Sequence, residues 1–404
     1  MSGGDSTQGS SRLVPWRSPT LQVILASSLV GVMGVSLLSP VLPALRSTFG
    51  VSDAQVGLII TVYTLPGVFL TPFVGLVADR IGRKRTLIPL LVIFGVAGAG
   101  IAATMSFRQV LVLRFFQGVG ASALITLAIT LIGDYYEGGR QQALIGINSS
   151  ALGIGAALYP LIGGLLAAVR WNVPFLFFGV ALLVALAATV VLNEPAIDEA
   201  PDLRTYVGNL WTVLSMPTAI GIYLASFLTF FLFYGGVLTA VPLLLTDEFG
   251  VVEPYLGLIL SVVSVTNAAV ASQYGRLANK IGSETLVTTG FLCFGGAFLG
   301  VYAVRSAVHV GLLLVAFGAG FGVVMPALND AVVSLVSGQL RASMLGLQTS
   351  TLRVGQTLGP VAFTGLAEAA FPTAVGGYRL VLPLFGLVAV AAGIAVPLLV
   401  RASE

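Results

Sequence analysis

Five charged side chains, Asp79, Arg80, Arg83, Lys84 and Arg85, crowd into the stretch "GLVADRIGRKR" from Gly75 to Arg85, in a chain that is only 9% charged. One acid beside four bases can hold ion pairs and exchange them for other partners, which is the chemistry of a latch. A weaker copy, "GRLANKIGSET", begins at Gly275 and repeats Gly75, Ala78, Ile81 and Gly82 at an offset of 200. Asn279 and Lys280 stand there for Asp79 and Arg80, and Ser283 with Glu284 for Arg83 with Lys84. The copy keeps the turn that Gly82 permits and loses most of the charge.

Two more charges interrupt apolar runs: Arg114 within 109–133 and Arg353 within 342–367. At 1.5 Å per helical residue, Arg353 lies roughly 16 Å into its run, and Arg114 about 8 Å into its own. An arginine at the centre of a membrane helix costs about 2.5–3.5 kcal/mol, so each should face a wet cavity or a partner. Gln117 lies one turn from Arg114 and Gln356 one turn from Arg353, while Gln348, Asn148, Asn267 and Tyr234 could share a cavity with Arg353. The plainer alternative for Arg353 is a structural pairing with neighbouring carbonyls or amides, and for Arg114 snorkelling to the interface. Asp330 is the carboxylate within the last turns of a run, a candidate proton carrier or an ordinary cap. Phe227, Phe230, Phe231, Phe233 and Tyr234 stand beside Gly235 and Gly236. They face lipid by default, but an aromatic wall at a flexible joint also suits an apolar substrate.

These residues need a membrane to position them. The chain is 57% hydrophobic, with a mean hydropathy of +1.01. Crossing about 30 Å of hydrocarbon takes ~20 apolar helical residues, and twelve such runs can be read from 21–45 to 380–400. One cysteine and one histidine leave no disulfide and no His/Cys metal site, and no nucleophile–base constellation suggests an enzyme. The net charge of +3 gives no reason to expect nucleic acid. With both termini cytoplasmic, twelve basic residues fall inside and five outside; Arg114 and Arg353 complete the 19. That bias favours a multi-pass plasma-membrane protein with both ends inside.

Organisation along the chain is a duplication. "FGVSDAQVGLI" from Phe49 faces "FGVVEPYLGLI" from Phe249, and Gly118, Gly120, Gly146, Gly155 and Pro160 recur as Gly318, Gly320, Gly346, Gly355 and Pro360. The expected plan is a tail at 1–19, a six-helix bundle at 20–193, a linker at 194–216, a second bundle at 217–400 and a short tail at 401–404. Leu203, Val207, Leu210 and Leu214 recur in the linker at helical spacing, suggesting either an amphipathic segment on the membrane surface or a plain tether.

Gly75, Asp79, Arg80, Gly82, Arg83 and Lys84, placed between spans two and three of a duplicated twelve-span chain, resemble the signature loop of the major facilitator superfamily. Arg114, Gln117, Gly118 and Gly120 resemble its R-x-x-Q-G-x-G pattern in span four. Gly155, Pro160, Gly163 and Gly164 resemble its antiporter motif in span five, with Tyr159 where the family has glycine. The resemblance implies an all-α integral membrane protein with twelve transmembrane helices in two pseudo-symmetric bundles. It implies gating in which the aspartate faces the cytoplasmic start of span eleven and the later arginine faces an acid at the end of span four, where Asp134 stands. The alternative is that the basic residues set topology and bind head groups.

The expected activity is secondary transport of a small organic, largely hydrophobic solute by alternating access, with proton-coupled efflux, no cofactor and a monomeric chain. An organic-anion transporter using the buried arginines is the second expectation. A non-transporting membrane receptor or scaffold is the third.

Overall fold

The computed structural model of the protein describes residues 14–194, 216–335, 339–371 and 373–401. The expected amphipathic linker segment falls outside them, as do residues 1–13 and 402–404 of the expected tails and the side chains of residues 339–343. Among the described residues there are twelve long helical stretches. The first six are α1 (Pro19–Phe49), α2 (Asp53–Ile81), α3 (Arg83–Ala103), α4 (Phe107–Tyr135), α5 (Gly138–Val169) and α6 (Val173–Val191). The second six are α7 (Thr218–Phe249), α8 (Glu253–Ala271), α9 (Ser283–Ala303), α10 (Ala307–Leu335), α11 (Gln339–Ala370) and α12 (Ala374–Arg401). Eleven are apolar and long enough to cross a membrane. The exception is α11, which carries Gln348, Thr349, Ser350, Thr351, Arg353, Gln356 and Thr357. A spanning helix this polar needs a polar surface to face.

Local signals explain the helix ends. Ser52 accepts from the backbone of Gln55, whose side chain returns a bond to the Ser52 amide, closing a capping box at the start of α2. Arg379, one residue before the apolar run 380–400, already lies on α12 and binds Glu248 and the Val304 carbonyl. Apolar runs locate the hydrocarbon slab, and helices continue past it wherever backbone bonds can continue.

The two halves repeat in their contacts. A methyl group at Gly118 would lie 2.0 Å from the carbonyl of Tyr63, and one at Gly318 would lie 2.5 Å from that of Val263, the equivalent position 200 residues on. The repeat departs from itself after α8, which breaks at Ser272 and Gln273 before a short helix, Tyr274–Ile281, that carries the weaker copy of the charged loop. Its counterpart α2 runs unbroken to Ile81.

An even number of crossings places the start of α1 and the end of α12 on one side, called here the terminal side; the other is the distal side. On the distal side the halves meet as two helix pairs, α2 with α11 and α5 with α8. Added methyl groups at Gly57 and Gly257 would lie 3.3 Å and 2.3 Å from the carbonyls of Pro360 and Pro160, respectively. Thr61 donates to the Thr357 carbonyl at 2.9 Å and Ser264 to the Ala156 carbonyl at 3.1 Å. Nearer the terminal side, Ser149 and Ser150 on α5, Ala268 and Ala269 on α8 and Ser272 just after it are exposed.

Candidate functional site

The groups able to act fall into three layers. At the distal end, Arg46 on α1 pairs with Asp53 on α2 at 2.6 Å and with Asp247 on α7 of the other half. The Tyr378 hydroxyl donates to Asp53 at 2.8 Å, and the Ala54 amide donates to Glu368 of α11 at 2.9 Å. Glu368 thus satisfies an amide at the start of α2 from the opposite half. Ser39 also crosses the halves, donating to the Leu238 carbonyl at 2.6 Å. Sequence reasoning missed this layer. The available signal was that Arg46 and Asp247 flank the two copies of Phe-Gly-Val.

At mid-depth the two arginines separate in role. Arg114 is fully buried among α1, α2 and α4. It donates to the carbonyls of Gly34 (2.9 Å) and Ile59 (3.1 Å) and to Gln117 Oε1 (2.7 Å), with its guanidinium 4.1 Å from the centre of the Tyr63 ring. This is an internal clasp of the first half, and Gln117 is part of it.

Arg353 is different: it is only part-buried and reaches from α11 into the first half. Among the described residues it donates to the Ser122 carbonyl at 3.1 Å, with the neutral phenols of Tyr63 and Tyr234 in its surroundings. The guanidinium has its place because residue 67 has no side chain; a methyl there would lie 2.8 Å from Arg353 Nη1. Thr71 also donates to the Ser122 carbonyl, so that oxygen is shared between halves.

Tyr234 belongs to an aromatic group on α7 and α10. Phe230 stacks on Tyr234 with centroids 6.0 Å apart, and Phe321 lies 5.7 Å from Phe230 and 5.1 Å from Phe233. Here α7 runs as a π-helix over Leu232–Ala240, a form that concentrates at functional sites. Among the other expected members, Gln348 donates to Ser226, while Gln356 and Asn267 are part-exposed. Asn148 is 1% exposed, and neither of its amide atoms has a hydrogen-bond partner among the described residues. The antiporter-like residues form packing seams: a methyl at Gly155 would meet Leu29 on α1, one at Gly163 the Leu37 carbonyl on α1, and one at Gly164 the Glu253 carbonyl on α8. Tyr159 rests near Phe177 with centroids 6.5 Å apart.

The third layer is the charged loop on the terminal side. Arg83 joins Asp79 at 3.4 Å and Asp134 at 3.0 Å, while Arg80 and Arg85 are exposed. Lys84 binds the carbonyls of Thr189 (2.8 Å) and Leu192 at the end of α6, the favourable end of a helix for a cation. Glu194 accepts from the amides of Lys84 and Arg85, both at 3.1 Å, and so caps α3. Gly82 has φ +111°, and a methyl there would lie 2.4 Å from the Glu194 carboxylate, so backbone and cap both require glycine. Replacing Glu194 by alanine removes the cap, at a cost of about 1 kcal/mol. The expected outcome is about fivefold faster hydrogen exchange at the Lys84 and Arg85 amides; unchanged protection would mean the cap does not hold the loop. On the same side, Asp330 is exposed and accepts from the Tyr274 hydroxyl at 2.7 Å, away from Arg353. Burial raises the Tyr274 phenol above its ordinary pKa and keeps it a donor.

A family model described as the Major Facilitator Superfamily matches residues 24–360 and 222–404. The bacillibactin exporter of Bacillus subtilis (strain 168) is 26% identical over 357 residues, covering 85% of this chain and 88% of the relative. The multidrug efflux protein YfmO of the same organism is 29% identical over 357 residues, covering 86% and 87%. Among solved structures, an inward-facing, unoccupied bacterial homologue of the human lysosomal transporter Spinster superposes with a TM-score of 0.81 at 18% identity, covering 96% of this chain and 98% of that one.

Proposed function

This chain belongs to the major facilitator superfamily, and from that premise we propose that it exports small, largely apolar organic solutes by alternating access, in exchange for protons. The single observation that carries the reading is the uneven meeting of the halves. Ion pairs and close backbone seams join them on the distal side, while Arg353 and its aromatic neighbours lie where those seams end. A site joined on one side and reachable from the other is half of an alternating-access cycle.

The terminal side is cytoplasmic, in keeping with its basic loops. Two of the relatives are named as an exporter and an efflux protein, which supports the outward direction. One chain supplies both halves of the pathway, so a monomer is sufficient, and the solute leaves chemically unchanged. Asp79 and Arg83 act on the cytoplasmic gate: their pairs hold the loop in this state and are exchanged when the halves close on that side. Asp330 at the cytoplasmic mouth carries the proton.

Purified protein in proteoliposomes, loaded with a lipophilic fluorescent dye, tests this. A pH gradient should drive dye against its concentration, and nigericin should abolish that work. Asp330→Asn should remove the response to the gradient, and Asp79→Asn should slow turnover at least fivefold with dye affinity unchanged. Absence of gradient-driven movement for any dye would overturn export coupled to protons. A specific observation favours a second reading, transport of organic anions: Arg353 offers unused donors at mid-depth.

A further inference from the structure

Charge is distributed unevenly through the depth of this protein. Each carboxylate among the described residues stands in a loop or near a helix end. Asp53 and Glu253 open α2 and α8, and Glu284 is the second residue of α9. Asp79, Asp134, Asp247, Glu248 and Glu368 close α2, α4, α7 and α11, and Glu137 and Glu194 lie outside the helices. Asp330, the deepest, is five residues from the end of α10 at Leu335 and is exposed. The charges that remain at mid-depth are two guanidinium groups, and Arg114 spends its donors within the first half. Arg353 is therefore the mid-depth charge that a solute can meet, and it is positive.

Its donors are mostly unspent. A guanidinium carries five N–H donors in a planar fork, and the Ser122 carbonyl takes one of those of Arg353. A neutral carbonyl is a weak competitor for such a fork; an anionic oxygen pair makes shorter and roughly twice stronger bonds. Tyr234, in the surroundings of that fork, contacts Phe230 and Phe233, and both of these contact Phe321, with paired ring centroids 5.1–6.0 Å apart. They can pack a planar ring edge-on or offset-stacked. A cation entering this region would be repelled by Arg353 with no carboxylate to offset the cost of leaving water.

We infer that the central site takes an aromatic organic anion, with its carboxylate or other acidic oxygens on Arg353 and its ring against Phe230, Tyr234 and Phe321, and that its arrival draws Arg353 off the Ser122 carbonyl. This rests on the transport reading above and adds the sign of the solute's charge. It also makes Arg353 a sensor, because the bond the anion displaces is one that ties α11 to the first half at mid-depth.

Three probes with one ring system test this: 1-naphthoate, neutral 1-naphthamide and cationic 1-naphthylmethylamine, measured by equilibrium binding to the purified full chain at neutral pH. The expected order places naphthoate at least tenfold tighter than the amide, and the amine weakest. Arg353→Gln should remove the advantage of naphthoate while leaving the amide within threefold, and Arg353→Lys should retain part of it. Phe321→Leu should weaken all ring-bearing probes together. The wild-type order needs no variant to fold. Equal binding of the three probes, or tighter binding of the amine, would overturn the inference, as would an Arg353→Gln protein that keeps the preference. The proteoliposome assay separates the two conclusions. Gradient-driven movement of neutral or cationic dye without anion preference retains the export reading and removes this one. Arg353-dependent naphthoate binding in a protein that moves no dye does the reverse.

Discussion

Gly164→Leu stops net transport while the protein still folds and binds. A methyl at residue 164 would lie 2.2 Å from the Glu253 carbonyl oxygen and 3.1 Å from Cα of Pro254, both backbone atoms of the other half. Backbone has no rotamer with which to yield, so α5 and α8 must part. That seam includes Gly257 against Pro160 and the Ser264 bond to Ala156, and these separate with it. Overpacking of this kind costs about 3 kcal/mol, enough to take a 99:1 preference for the distally closed state to near parity. A longer side chain adds to the displacement, so the closed state becomes the minor one and the cycle stalls. The readout is a disulfide between Ala54→Cys and Glu368→Cys, positions joined here by a hydrogen bond. It should form readily in the parent and at least tenfold more slowly with Gly164→Leu, alongside a tenfold fall in transport. Normal transport with unchanged crosslinking would show that the seam is not a moving contact.

Arg114→Ala is expected to damage the fold before it damages recognition. The side chain joins three helices through hydrogen bonds to Gly34, Ile59 and Gln117 and lies over Tyr63. Hydrogen bonds between membrane helices average about 0.6 kcal/mol, a desolvated cation–π contact is worth about 2 kcal/mol, and the emptied volume costs more. Roughly 4 kcal/mol of first-half stability is at stake, a large share for most proteins. The variant should lose thermal stability in detergent by several degrees and give less monodisperse protein, with or without solute. A variant that melts like the parent but loses solute affinity would place Arg114 in the binding site and not in the clasp.

These two residues illustrate what a linear reading can reach. That Arg114 is buried and costly followed from one charge in an apolar run, and Gln117 was visible one turn away. That the guanidinium is spent on Gly34 and Ile59 could not follow, because those partners are 80 and 55 residues distant and are ordinary backbone carbonyls with no side-chain signature. Arg353 presented the same signal, yet its neighbours leave most of its donors free. The difference lies in which neighbouring helix presents a carbonyl, which depends on how each helix is rotated about its axis. In soluble proteins the apolar stripe reveals that rotation; in a membrane, lipid-facing and core-facing sides are both apolar, so the stripe is faint. Asp330 was readable as a carboxylate near a helix end, but its partner Tyr274 was not, because it lies beyond an unexpected break in α8.

The distal ion pairs escaped for another reason. Arg46, Asp53, Asp247 and Glu368 each look like solvated residues at a span boundary, and nothing in their local sequence distinguishes a charge that meets water from one that meets the other half. Glu194 looked like the first acid of a linker, although it is the cap on α3 that Gly82 makes room for.

By itself the sequence determined the solvent, the count of crossings, the duplication at an offset of 200 and the place of the charged loop. All follow from hydropathy, from glycine and proline spacing, and from the cost of burying charge, which act along a single chain segment. Only the tertiary structure decided that the distal side is the joined one, that Arg114 is a clasp, and that Arg353 reaches across to the Ser122 carbonyl of the first half. Those outcomes depend on contacts between helices that are 50 to more than 300 residues apart, and on small rotations and seams where a single methyl group decides whether two backbones can touch.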